Sequence, residues 1–229
     1  MLMVDMRYIA SDGLRRIYQT RFKGLLDYRN KVWSVLARDY FQQWVRGTDV
    51  VLDLGAGYGE FINTIACGKK YAMDLNPDTL HHAHKDVKVI EQNCSEPWPL
   101  PEDALDVVFT SNFFEHLPDK RALDDTLDEV KRCLKPGGRI IALGPNIKYA
   151  RGAYWDFWDH HIPLTEKSLS EALLHKEFHI EKCLGKFLPF TMASGPQYPS
   201  FFVAVYVRLP LVWRIFGKQF LVIGRKNGA

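Results

Sequence analysis

The stretch Val50 to Phe61, VVLDLGAGYGEF, constrains this chain more than any other. A short apolar run containing Asp53 leads directly into Gly55, Gly57 and Gly59, and an amphipathic segment follows. The run reads as a buried strand and the glycines as a sharp turn into a helix. Without Cβ atoms a backbone turns tightly and lets a ligand approach the main chain. A plain strand-to-helix turn would use the same residues, so the surrounding sequence has to decide.

A dinucleotide fingerprint is G-x-G-x-x-G, but position 60 is Glu60, and the third glycine falls one residue early. An acid at the start of the helix would also repel a pyrophosphate. A ligand without phosphates fits better. S-adenosylmethionine presents an ammonium and a sulfonium, and Asp53 supplies negative charge beside the loop. Asp74 lies 19 residues beyond Gly55, at the end of the next apolar run, placed to accept from both ribose hydroxyls. A nicotinamide dinucleotide would share that last contact, so a nicotinamide oxidoreductase stays a distant alternative. The spacing Gly55-Ala56-Gly57-Tyr58-Gly59 separates the two.

Around the loop, short apolar runs alternate with amphipathic segments. Strands are predicted at 50–54, 70–75, 87–91, 105–110 and 139–143, and helices near 31–46 (stopped by Gly47), 59–66, 77–84 and 119–134. Lys135-Pro136-Gly137-Gly138 marks a helix stop and turn. Such alternation implies a parallel sheet with helices on both faces. Beyond 144 come an aromatic, histidine-rich loop and a short helix at about 165–176, with Thr165 as its cap and Ser168 close by. Two more strands, at 178–184 and 219–225, flank an insertion at 185–218.

In this order and spacing, VLDLGAGYG, MDLNPD (73–78), WPLPEDALDVVFTSNFFEHLPD (98–119) and LKPGGRIIALGPN (134–146) resemble the class I S-adenosylmethionine-dependent methyltransferases. The resemblance covers about residues 45–185 and is specific for donor and fold. It implies a Rossmann-like, doubly wound α/β sheet of seven strands, mainly parallel with an antiparallel last strand. A helical N-terminal arm and a C-terminal insertion would be added to it. The whole chain then reads as one domain: arm 1–48, cofactor core 49–144, substrate-side loop, helix and insertion 145–218, last strand and tail 219–229.

By the same resemblance, Gly55, Ala56, Gly57 and Gly59 cradle the donor, and Asp74, Leu75 and Asn76 meet its ribose. Asn93, Cys94 and Ser95 meet the adenine; many relatives carry Asp where Asn93 stands, and an amide oxygen accepts equally well. Ser111 and Asn112 lie beside the methionine moiety. Arg29, just ahead of the first helix, either pairs with the methionine carboxylate or is a solvated surface arginine.

Methyl transfer from a sulfonium is an in-line displacement, so the protein aligns the acceptor and excludes water. An alcohol or phenol gains from a general base; an amine does not need one. His160 and His161, among Tyr154, Trp155, Phe157 and Trp158 and with Asp156 and Asp159 near, are the first candidates. His116 is a further one, although it also suits a structural turn. Neither Glu115-His116 nor the 156–161 run has a recognisable metal spacing, so no metal is predicted. The aromatic loop suits a sugar face as well as core packing. With the insertion it loosely resembles bacterial methyltransferases of glycan and secondary-metabolite pathways. The predicted reaction is O-methylation of a small-molecule, sugar or glycan-type acceptor. The alternatives are N-methylation of an amine or peptide and a non-catalytic donor-binding subunit or sensor.

The remaining features set limits. A net charge of +3, with 30 basic residues interleaved among 27 acidic ones, argues against nucleic acid as the main partner. Cys67, Cys94, Cys133 and Cys183 are scattered and read as reduced thiols. The first residues, MLMVDMRYIASDG, lack a signal-peptide pattern, which with the thiols predicts a cytoplasmic protein. Residues 201–216, FFVAVYVRLPLVWRIF, are too short to span a bilayer and are broken by Arg208 and Pro210. Burial is the simpler reading, and peripheral membrane contact or a lid over the substrate the other. The oligomeric state is left open.

Overall fold

The computed structural model describes residues 11–190 and 196–228; the first ten residues of the predicted arm and 191–195 of the insertion lie outside the described residues. In chain order the elements begin with helices α1 (Ser11–Arg21) and α2 (Leu26–Val35), then β1 (Val50–Leu54), α3 (Glu60–Thr64), β2 (Lys69–Asp74), α4 (Asp78–His82) and β3 (Val87–Glu91). They continue through β4 (Leu105–Ser111), α5 (Lys120–Cys133), β5 (Leu134–Pro145), α6 (Ile147–Ala150), α7 (Glu166–His175) and β6 (Phe178–Leu184). Last come α8 (Ser200–Val207), α9 (Pro210–Phe216) and β7 (Gln219–Lys226). The seven strands form one sheet in the order β3-β2-β1-β4-β5-β7-β6. β1 to β5 pair in parallel, and β7 runs antiparallel to both β5 and β6. The sheet is the predicted one.

Alternation along the central strands assigns their side chains to two cores. Leu52, Leu54 and Val108 face one layer, where they meet Leu123, Leu127 and Val130 of α5. Those three recur at helical spacing, and Asp119 caps the helix by accepting from the Ala122 N–H. Val51, Val107 and Phe109 face the other layer with Trp33, Leu36 and Phe41 of the N-terminal arm. There the Phe61 and Phe109 rings stack at 3.6 Å. On α7 the expected cap is a full capping box between Thr165 and Ser168.

Two elements differ from expectation by more than two residues at an end. The helix predicted at 31–46 starts at Leu26, widens into a π turn at Leu36–Tyr40 and tightens to a 3₁₀ turn at Phe41–Trp44. Leu36, Ala37, Tyr40 and Phe41 all turn inward. Val45 is already extended, so the helix ends before Gly47. The strand predicted at 139–143 runs from Leu134 to Pro145. Pairing with β4 starts it early, through a register shift at Leu105/Val107 that absorbs Gly137, and pairing with β7 carries it to Pro145.

The order of strands reverses at β1, which lies between β2 and β4. Ligands of open α/β sheets bind outside the carboxyl ends of the strands at such a switch point. Leu54 of β1 and Ser111 of β4 end there. The described part of the insertion is mostly α8 and α9. No described helix is long and apolar enough to cross a membrane.

Candidate active site

A cavity of about 1610 Å³ opens at the switch point and extends to α8 and α9. Small-ligand sites usually enclose about 300–1,000 Å³, so this one has room for a donor and a sizeable acceptor.

At its inner end the glycine loop needs left-handed backbone at Gly55, Gly57 and Gly59, with φ of +71°, +55° and +72°. A Cβ at Gly55 would lie 2.1 Å from the Phe113 ring, so position 55 excludes any side chain. Gly55, Ala56 and Gly57 line the cavity, as do Asp53, Ser111 and Asn112. Asp74 lies directly behind the loop. Its carboxylate accepts from the Gly57 N–H (2.7 Å) and the Asn76 N–H (2.8 Å), which fixes its orientation. Asn76 in turn accepts from the Asp78 N–H, and Leu75 links the two. Asn93 accepts from both the Ser95 N–H and the Ser95 hydroxyl, and the Cys94 carbonyl accepts from Trp98 Nε1. Asn93, Cys94 and Ser95 turn the chain beyond β3 but do not line the cavity.

Arg29 lines the cavity, and its place in the helix differs from the sequence reading. It lies within α2 rather than ahead of the first helix, is largely buried, and donates from Nε to Glu60 Oε1 at 2.6 Å. Its guanidinium lies 3.9 Å from the centre of the Phe22 ring. The true helix start, at Leu26, is the reason. Glu60 is therefore ion-paired at the edge of the cavity.

The inner end also fits a cationic ligand. Asp53 is held well above the usual carboxylate range by burial and by the charge of Glu60, and burial raises Asp74 as well. Asn112, held at φ +49°, lines the cavity, and its buried Oδ1 has no hydrogen-bond partner among the described residues. A bound cation would favour the ionised form of these buried acids, which suits the ammonium and sulfonium of S-adenosylmethionine.

The N-terminal arm contributes residues that the sequence did not signal. Tyr18 of α1 lies across the loop, 3.0 Å from where a Gly57 Cβ would be, and edge-on to Tyr58. Arg15 and Gln19 bind Asp78 at 2.7 and 3.2 Å. Arg21 donates to Asp159, which ties the arm to the loop after β5.

Beside the donor end, the 3₁₀ turn Phe114–His116 after β4 meets that same loop. The His161 and Ile162 N–H groups both donate to the Glu115 carbonyl, at 2.7 and 3.2 Å. His116 Nδ1 lies 2.9 Å from the Asp159 carbonyl and 3.2 Å from its carboxylate. The His116 and His160 rings approach to 4.8 Å, and Phe157 stacks on His160 at 4.9 Å. Glu115, His116 and His160 all line the cavity; His161 is exposed outside it, and only its backbone takes part. One donor atom from each of Glu115, His116 and His160 falls within 4.8 Å of the others, a set whose chemistry could also hold a divalent ion.

Electrostatics divides these groups. Burial pushes Glu115 up to about 7, against the opposing effect of His116. Burial and the neighbouring His116 push His160 down to about 3, so it stays neutral. His116 moves up despite burial, because Asp159 bonds it and Glu115 adds negative charge. Asp159 is held well below its usual range, burial notwithstanding, by His116 and Arg21. Glu115 Oε1 and His160 Nδ1 are buried without a partner among the described residues. The sequence pointed to the histidines and weighed Glu115 only as a metal ligand beside His116.

Residues 52–142 match a family model described as a methyltransferase domain. A protein of Mycolicibacterium smegmatis, named a probable S-adenosylmethionine-dependent methyltransferase, is 29% identical over 147 residues, 62% of this chain and 56% of that protein. A ubiquinone/menaquinone biosynthesis C-methyltransferase of Hahella chejuensis is 27% identical over 127 residues, 50% of this chain and 49% of that one. The chain thus spans about half the length of these curated relatives. Among solved structures, an S-adenosylmethionine-dependent methyltransferase from Archaeoglobus fulgidus superposes with a TM-score of 0.67 at 23% identity, covering 92% of this chain and 99% of that one. The matched segment carries the glycine loop, Asp74 and the end of β4. Over residues 52–142 the chain is thus similar to a methyltransferase domain, and its fold is that of a solved S-adenosylmethionine-dependent methyltransferase.

Proposed function

We propose that the chain transfers a methyl group from S-adenosylmethionine to an oxygen of its acceptor, with Glu115 taking the proton. The donor, when bound, supplies a methyl group already activated on a sulfonium. Gly55, Ala56, Gly57 and Gly59 let it approach the main chain, Asp74 receives the ribose hydroxyls with Leu75 and Asn76 behind, and Asp53 and Asn112 face its cationic end beside Ser111. Asn93, Cys94 and Ser95 are assigned the adenine from family resemblance.

The observation that carries the oxygen acceptor is Glu115 itself. A cavity-lining carboxylate with an unpaired oxygen and a pKa near 7 matches what a general base at neutral pH requires. His116 and the Asp159–Arg21 pair hold the turn that carries it, and His160 offers an uncharged nitrogen to the acceptor. Around them the cavity is lined by Phe157, Trp158, Phe190 and the apolar side chains of α8 and α9. A sugar hydroxyl or phenol with an apolar body or tail suits such walls.

N-methylation is the second reading, because a neutral amine needs no base. Glu115→Gln separates the two. With an oxygen acceptor kcat should fall by about 10²–10⁴-fold while the affinity for S-adenosylhomocysteine stays unchanged. An intact kcat would favour an amine. A divalent ion is tested alongside, since chelation should leave the rate unchanged if Glu115 acts on protons alone.

A further inference from the structure

The helices at the outer end of the cavity have the wrong surface for a water-facing element. α8, SFFVAVYV, is apolar on every side, whereas a helix packed on a core at one face normally turns polar residues outward. Val207 of α8 and Trp213 of α9 are buried and fasten the pair to the fold. The residues on the opposite side are as apolar as the anchors: Phe201 and Leu211 are 69% and 73% exposed, and Phe202, Ile215 and Phe216 all exceed half. Trp158, on the cavity rim, is 90% exposed. Among the described residues nothing covers this face.

Charge indicates what would cover it. From Lys182 to the last residue the chain contains no aspartate and no glutamate, while Lys186, Arg208, Arg214 and Lys218 lie in or beside the two helices. Arg208 pairs with Asp39 of the arm, and Lys186 donates to the Arg214 carbonyl. The arginine side chain of residue 214 is exposed. An apolar face flanked by cations, with exposed tryptophan at its edge, is complementary to an anionic lipid surface. The same face is continuous with the cavity, since Phe202, Leu209, Val212 and Ile215 line both.

We propose that the α8–α9 face docks on an anionic lipid bilayer, so that the cavity opens towards the membrane and receives its acceptor from there. The docking stands on the surface alone; the source of the acceptor rests on the methyltransferase reading. The face and the glycine loop both contribute residues to the lining of the cavity.

Co-sedimentation with vesicles tests this. Vesicles of phosphatidylcholine alone are compared with vesicles of equal parts phosphatidylcholine and phosphatidylglycerol, at low and high salt. The chain should sediment with the anionic vesicles, and less so in high salt. Phe201→Asp with Leu211→Asp, two exposed side chains outside the cavity wall, should weaken that binding at least tenfold. Calorimetry with S-adenosylhomocysteine and the thermal midpoint should not change. Failure of the wild type to bind anionic vesicles, or equal binding by the double variant, overturns the proposal. So does a self-associated form in sedimentation velocity that the double variant dissolves while vesicles capture neither protein. Loss of S-adenosylhomocysteine binding with vesicle binding intact would sink the enzymatic reading and leave the docking standing.

Discussion

A carboxylate buried without a partner is costly to ionise, and Glu115 carries that cost in the folded chain. Its pKa is about 7 in the fold and nearer the ordinary 4.5 when unfolded, so the native state holds the extra proton. The stability this contributes is complete below the unfolded value and is lost as pH rises through about 7. Glu115→Gln keeps the shape and removes the ionisation. Its thermal midpoint should therefore exceed that of the wild type at pH 8 by the equivalent of about 1–3 kcal/mol and match it at pH 5. Activity should respond in the opposite way, because the wild-type rate rises with pH as Glu115 gives up its proton. A variant less active and no more stable at pH 8 would mean that Glu115 is not held in this state. Asp74 obeys simpler logic. With both oxygens oriented by backbone N–H groups, its removal leaves ribose hydroxyls and those donors unpaired. Asp74→Ala should weaken S-adenosylhomocysteine about 10- to 100-fold by calorimetry, and unchanged affinity would exclude it from the ribose site.

The elements most legible in the sequence are those whose packing is decided locally. β1, β3 and β6 span the predicted residues because short apolar runs between turn signals leave one way to be buried. The glycine loop was readable for a similar reason, since its backbone tolerates few other residues. The acceptor side was not. Glu115 faces the cavity because its turn is bound to a loop more than 40 residues away, through bonds to its own backbone carbonyl that any residue could accept. The same contact separates His160 from His161, which the sequence could not distinguish. The role of α1 was hidden because Arg15, Tyr18 and Arg21 find their partners only in three dimensions. Arg21 links α1 to Asp159, whose pKa is depressed by His116 and Arg21. A depressed acid adds stability above its unfolded value, about 3.9, and the gain is lost as pH falls through the lower folded value. Arg21→Ala should weaken that link, so the midpoint should fall more at pH 6 than at pH 3. Proteolysis within 11–21 should become faster at pH 6. Equal destabilisation at both pH values would show that the pair contributes only packing.

At the scale of the molecule, the two ends of the cavity differ in chemistry. The glycine loop, Asp53 and Asn112 form an end suited to a charged, water-borne donor, and α8 and α9 form an apolar end whose outer surface is equally apolar. Under the proposed docking, donor and acceptor arrive from different phases and meet beside Glu115. Electrostatics should govern the approach to a lipid surface and the apolar side chains the depth of contact. A cation near an anionic bilayer contributes about 1 kcal/mol, so Arg214→Gln should lower partition onto phosphatidylglycerol vesicles about fivefold at low salt. At 1 M salt the Debye length shrinks to about 3 Å, and that difference should disappear. The loss caused by Phe201→Asp with Leu211→Asp should persist, because screening does not restore apolar burial. If Arg214→Gln were equally weak at every salt concentration, its contribution would be packing on α9 rather than attraction to the surface. The salt series therefore separates the two forces assigned to this face.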